Sequence, residues 1–223
     1  MSVAAVSQFS PADSGARADT TRLIFHGAWM SVALGVTLQL VALTIILCFG
    51  RSAAPGAFVA DLTQKVTWSV FVCVGLTLGA AAARAMPVPT GLIGLLAAPA
   101  AFVIAKTAHK WVQEMLKLAP GAEGVPAAAT LAAIKGLEYA VFGWMLARLV
   151  RSERRGLARF ALIGAAVGAV FGALLLWMTL AGSAVRPAAV QLTAKAVNEL
   201  LFPVGCAMVF GVTMRLAGPG AVK

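Results

Sequence analysis

Six apolar runs, at residues 23–49, 66–83, 91–107, 127–150, 160–181 and 190–216, leave this chain few ways to fold. Each has roughly 17 residues or more, enough to cross a bilayer core about 30 Å thick. Inside lipid every backbone polar group needs a partner within the protein, so single-chain runs of this length fold as helices. The composition agrees: 61% of the 223 residues are hydrophobic and 12% are charged, against about half and a quarter in soluble domains. The expected fold is all-α, a polytopic membrane protein of six transmembrane helices. Almost all of its mass lies in spans and short loops, which leaves no room for a soluble catalytic domain.

A lysine opens three of the helical runs and an arginine ends each of them. They are Leu62-Thr63-Gln64-Lys65 to Arg84, Ala132-Ala133-Ile134-Lys135 to Arg148, and Leu192-Thr193-Ala194-Lys195 to Arg215. The first and third stay in ungapped register as far as Val74-Gly75 and Val204-Gly205. This recurrence predicts three hairpins, about 22–84, 91–148 and 159–216, related by a loose pseudo-threefold repeat. They form one transmembrane domain over 22–217. The polar, aperiodic residues 1–21 are expected to be a disordered cytoplasmic tail, and 218–223 a short one. The outer connections hold Ala54-Pro55-Gly56, Ala119-Pro120-Gly121 and Arg186-Pro187. Proline beside glycine marks a turn, because one fixes φ and the other supplies positive φ. Residues 106–118 carry Trp111, Val112, Met115 and Leu116 at helical spacing among basic residues. They would extend the third helix or lie flat at the headgroups, and the surface-lying connector is the expectation.

The formal net charge of +10 is spread over the span ends rather than gathered with aromatics on one face. It therefore argues against nucleic acid as a partner and sets orientation instead. The densest basic loop, 151–159, places both termini in the cytoplasm, and richness in alanine and glycine points to a bacterial inner membrane. The first apolar run is too long for a cleaved signal peptide and should remain as a span. Cys48, Cys73 and Cys206 are far apart in apolar segments, so they read as packing residues. His26 and His109 fall at opposite ends of spans and cannot share one haem or metal. Neither a phosphate-binding glycine loop nor a Ser/His/Asp set occurs. No metal or cofactor is expected. Glu199-Leu200-Leu201-Phe202 resembles a fragment of the CAAX-type intramembrane protease motif. That motif needs paired glutamates, a following arginine and histidines on later helices. Here one acid stands alone, Pro203 lies near the arginine's place and no span follows. The likeness is therefore set aside, and an enzyme is not expected.

The candidate residues are the polar and the small ones within the spans. Gly75 and Gly79, and Gly164, Gly168 and Gly172, recur every four residues, so each set lies on one helix face and lets another helix approach closely. Lys135 and Glu138 are three apart on one face. Glu138 lies about 15 Å along the helix from Arg148, close to the midplane. A charge there costs about 2.5–3.5 kcal/mol on insertion scales, so such an acid usually faces a cavity or a partner. Lys195, Asn198 and Glu199 repeat the arrangement in the sixth span. Lys65 mirrors Lys195, but Trp68 and Ser69 stand where the third repeat has Asn198 and Glu199. The plain reading of Lys65 and Lys195 is an interfacial anchor. Pro203 should kink the sixth helix. Internal repeats with intramembrane charge suggest a small transport or channel-like protein. In it Glu138 would bind or carry a proton, Lys135 would tune it, and Asn198 and Glu199 would complete a polar site. The alternative is a non-catalytic integral subunit or assembly factor of a larger membrane complex. Partners are then the lipid bilayer and either further copies of the chain or other membrane subunits.

Overall fold

A computed structural model describes residues 11–85, 90–119, 127–152, 156–183 and 185–216. Six helices follow one another: α1 (Pro11–Cys48), α2 (Pro55–Ala85), α3 (Thr90–Met115), α4 (Ala128–Arg151), α5 (Leu157–Gly182) and α6 (Ala189–Leu216). No strand occurs among the described residues. Five helices are long and apolar enough to cross a membrane. The other, α4, has 24 residues and carries Lys135, Glu138, Arg148 and Arg151.

Each helix packs on the next in sequence, and α6 returns to α1 and touches α2, so the bundle is closed on itself. The seam between α4 and α5 is the least packed of the ring. Large apolar side chains point away from the bundle. On α5, Leu162, Val170 and Trp177 are 70%, 66% and 66% exposed, whereas Gly164, Val167, Gly168, Gly172 and Thr179 face inward. Water would penalise such a surface over every helix; lipid does not. The chain is therefore an integral, multi-pass helical membrane protein.

Glycine governs how closely the helices approach. A Cβ added to Gly168 would lie 2.8 Å from the Glu199 carbonyl oxygen, and one on Gly164 would lie 2.6 Å from Val204 Cα. One on Gly172 would meet Glu199 Cβ at 3.0 Å. The spaced glycines of α5 thus seat α6 backbone to backbone within the same chain. Gly75 and Gly79 face side chains of α3 instead, where an added Cβ would lie 3.3 Å from Ala97 and Ile93. Two helix-interior prolines, Pro99 and Pro203, add a second device. Proline has no N–H, so the carbonyl four residues earlier loses its helical donor. Those carbonyls belong to Leu95 and Glu199. Each meets a glycine of a neighbouring helix, Gly136 for Leu95 and Gly168 for Glu199. With no side chain, each glycine lets the freed carbonyl oxygen lie close to the neighbouring helix. Around Pro203 the chain remains helical through Leu216.

Four sequence expectations need correction. First, α1 begins at Pro11, so the helix includes 11–21 of the stretch expected as a tail; residues 1–10 lie outside the described residues. Second, Pro55-Gly56 opens α2 rather than forming a turn, since a missing N–H costs nothing in a helix's first turn. The reversal comes earlier, where Gly50 at φ 66° ends α1. Its N–H bonds Leu47 O, and Arg51 N–H bonds Ile46 O, a pattern that caps the last carbonyls. Third, most of 106–118 continues α3 as far as Met115 instead of lying as a separate connector. Lys117, at φ 51°, closes that end in the same way as Gly50 does. Fourth, Cys48, read as a packing residue, is exposed; Cys73 and Cys206 are buried as expected, and their sulfurs meet 2.9 Å apart between α2 and α6. The turn expected at Pro120-Gly121 falls outside the described residues.

Candidate functional site

The three lysines that open apolar runs in the sequence converge. Lys65 of α2, Lys135 of α4 and Lys195 of α6 line one cavity of about 320 Å³, with Asn198 and Glu199 beside them. Asp61, Trp68, Phe102 and Phe202 complete most of its wall. Counting 1.5 Å per residue, the lysines lie about 9–15 Å from the starts of their helices, so the cavity is nearer the end where α2, α4 and α6 begin. Glu138 does not line it. Its carboxylate lies just behind the wall, 1% exposed, and reaches the cavity through Lys135.

Packing within each hairpin fixes where these side chains stand. Gly35 of α1 lies against α2, where an added Cβ would fall 2.7 Å from Val66 Cα and 3.1 Å from the Lys65 carbonyl oxygen. One turn further along α1, Gln39 therefore reaches Lys65, whose Nζ donates to its Oε1 at 2.8 Å. Gly91 and Gly94 of α3 press on the Ala140 and Tyr139 carbonyls of α4, directly after Glu138. Gly168 and Gly172 back Glu199, and Thr179, two turns on from Gly172, accepts from Lys195 Nζ at 2.5 Å. The Thr179 hydroxyl is itself held by donating to Leu175 O at 2.7 Å.

The lysines have unlike partners. Lys135 Nζ donates to Glu138 Oε2 at 2.7 Å and to Glu199 Oε2 at 2.5 Å, so one ammonium bridges two carboxyl groups from two helices. Lys65 and Lys195 bond neutral oxygens, and neither has a carboxylate within ion-pair distance among the described residues. Asp61, half exposed, turns toward His109 of α3 at 3.7 Å, and the same His109 ring nitrogen lies 3.1 Å from Ala60 O. Among the described residues two buried polar atoms have no protein partner, Glu138 Oε1 and the Tyr139 hydroxyl. The Tyr139 ring is held edge-on by Trp68 and Phe142, with centroids 5.7 and 5.8 Å away.

All six polar residues singled out in the sequence, Lys65, Lys135, Glu138, Lys195, Asn198 and Glu199, thus belong to one cluster. Asp61, Gln39, Thr179 and the aromatic wall were not singled out. Asp61 left one usable signal, its position four residues before Lys65 on the same helix face. Among the described residues no group of three or more His, Cys, Asp or Glu side chains is placed to hold a metal. No family model, characterised protein or solved structure matches this chain.

Proposed function

We propose that this protein carries a small polar solute across the membrane through the cavity between α2, α4 and α6, coupled to a proton on the Glu138–Lys135–Glu199 cluster. The observation that carries the reading is the cluster's charge count. One ammonium faces two carboxyl groups, so the set is neutral when it holds one extra proton and negative when it does not. In a low-dielectric interior that difference is costly enough to tie proton occupancy to whatever else enters the cavity.

The packing suggests the moving parts. Helices α1–α4 pack successively as one block, while the α5–α6 hairpin joins them through α1 and, more weakly, through α2 and α4. The Lys135–Glu199 bridge spans the two groups. A proton arriving on Glu199 would leave Lys135 to Glu138 alone and release the bridge; its loss would remake it. Binding at a repeat interface with rocking of one part against the other is a common logic of transporters built from repeats. On this reading the protein is not an enzyme, the lysine-opened hairpins are an internal repeat, and the chain resides in a bacterial inner membrane with both termini cytoplasmic.

Reconstituted liposomes test the reading. With an imposed pH gradient and labelled succinate, phosphate, glycine and rubidium supplied in turn, one solute should accumulate in wild-type vesicles. Glu138→Gln and Glu199→Gln should abolish the dependence on the gradient while eluting as folded protein. The alternative, a non-catalytic subunit, draws support from the α4–α5 seam, the least packed between successive helices. Extraction in native nanodiscs with a stoichiometric foreign chain, and no flux of any of the four solutes, would replace the first reading with the second.

A further inference from the structure

We infer that the cavity takes an anion, a small solute or headgroup bearing carboxylate or phosphate oxygens, held between Lys65 and Lys195. The inference rests on the reading of this cavity as the solute site and adds the class of ligand. The three lysines differ in how far their charge is already matched. Lys135 is committed to two carboxyl groups. Lys65 and Lys195 are oriented by neutral acceptors, Gln39 and Thr179, which fix an ammonium without neutralising it. Each ammonium has three N–H donors and uses one of them on these partners. Both line the same cavity. Two acids share the wall, Asp61 and Glu199, and both lie beyond ion-pair distance of Lys65 and Lys195: Asp61 is 3.7 Å from His109, and Glu199 bonds Lys135.

Two ammonium groups facing one confined space need a counter-charge, because isolated charge in this setting is expensive. An entering cation would meet Lys65 and Lys195 first and would have to displace Lys135 from its carboxylates. An entering oxyanion instead gains charge-assisted hydrogen bonds from both sides. A volume of about 320 Å³ suits a small solute, and Trp68, Phe102 and Phe202 offer an apolar wall to a short carbon chain. The same chemistry describes a free dicarboxylate or phosphate and the phosphate of an anionic lipid.

The experiment separates these sources. Labelled succinate and labelled inorganic phosphate are titrated onto the full chain in nanodiscs of phosphatidylcholine, with and without phosphatidylglycerol. Saturable binding of at least one probe is expected, indifferent to added rubidium. Binding should weaken at least tenfold in Lys65→Gln and in Lys195→Gln, recover in Lys65→Arg, and stay unchanged in Lys110→Gln, which lies outside the cavity. Loss of the bound probe when phosphatidylglycerol is present assigns the site to a headgroup; its retention assigns it to a free solute. The inference is overturned if neither probe binds, if rubidium binds in their place, or if anion binding survives both lysine substitutions. Folding failure is recognised by loss of monodisperse elution, and Lys65→Arg then decides the charge requirement. Anion binding without flux would remove transport and leave this site standing, whereas flux of rubidium without anion binding would do the reverse.

Discussion

Removing Lys135 should damage the protein more than removing either acid, and the sign of a double-mutant cycle tests why. Lys135 lies 2.7 Å from Glu138 Oε2 and 2.5 Å from Glu199 Oε2, and Glu138 is 1% exposed. Lys135→Met leaves the buried Glu138 carboxyl and the partly buried Glu199 carboxyl without the ammonium they share. Breaking a buried pair from one side costs about 3–5 kcal/mol. Glu138→Gln leaves Lys135 and Glu199 matched one to one, so the cost is a charge-assisted hydrogen bond, about 1.5–3 kcal/mol. The difference of about 1.5–2 kcal/mol corresponds to roughly tenfold or more in the unfolding equilibrium. Coupling makes the sharper test, since contacting residues are not additive. With Lys135 already Met, Glu138→Gln removes an uncompensated charge, so the double variant should be more stable than Lys135→Met alone. Reversible unfolding in mixed micelles, followed by tryptophan fluorescence, measures all three. If Lys135→Met costs no more than Glu138→Gln, or if Glu138→Gln adds to the cost of Lys135→Met, the shared ion pair is not what holds these helices.

Three further outcomes follow from the packing. Gly168→Val should force α5 and α6 apart, because its Cβ would fall 2.8 Å from Glu199 O and 3.0 Å from Leu200 O. Overpacking of this kind costs about 1–3 kcal/mol, while Gly156→Ala, with nothing within 4 Å, should be silent in the same unfolding assay. In a Cys48→Ser background, dioxygen with copper–phenanthroline should oxidise Cys73 and Cys206 to one intramolecular disulfide, each thiol giving up a proton and an electron. Peptide mass spectrometry would detect the α2–α6 link, and its absence would refute the apposition of these helices; on the proposed mechanism the link also stops flux, reversibly with a reductant. Gln39→Leu and Thr179→Val should each cost little, near the average of about 0.6 kcal/mol for interhelical hydrogen bonds in membranes, in the same unfolding measurement. A loss as large as that of Lys135→Met would show that these neutral partners do more than orient their lysines.

The six helices and the cluster's charged members were legible for a local reason: long apolar runs specify spans, and a charge within one stands out against them. What stayed hidden depends on how helices are rotated against one another. Gln39 and Thr179 are ordinary polar residues in apolar runs, and only the seating of α1 on Val66 and of α5 on Glu199 reveals their partners. The pairing of Cys73 with Cys206, 133 positions apart, is of the same kind. Pro203 announced a lost hydrogen bond, but the sequence could not say that Gly168 lies against the freed Glu199 carbonyl. Residues 106–118 have the same amphipathic pattern whether they lie flat or continue α3, so periodicity alone could not choose. The glycine rows did declare a packing face, although not which helix would fill it.

Viewed as a repeat, the cluster makes sense through its departures from symmetry. In the first and third hairpins the lysine of the return helix bonds a neutral side chain of the outward helix, Gln39 of α1 or Thr179 of α5. In the second hairpin, α3 presents Phe102 and Ala105 to the cavity instead, and Lys135 turns to two acids. Three lysines all held by neutral partners would form a fixed trap for anions, with nothing to release them. Placing Glu138 and Glu199 on one lysine changes that, because their net charge switches with a single proton. On the proposed mechanism a deprotonated pair opposes an anion in the cavity, and a protonated pair tolerates it. Glu199 stands where the first hairpin has Ser69, so Glu199→Ser returns that position to the first hairpin's residue. The substitution leaves Lys135 matched by Glu138 alone and should retain anion binding while removing its dependence on pH. Binding that kept its pH dependence in this variant would place the titrating group elsewhere than on the shared lysine.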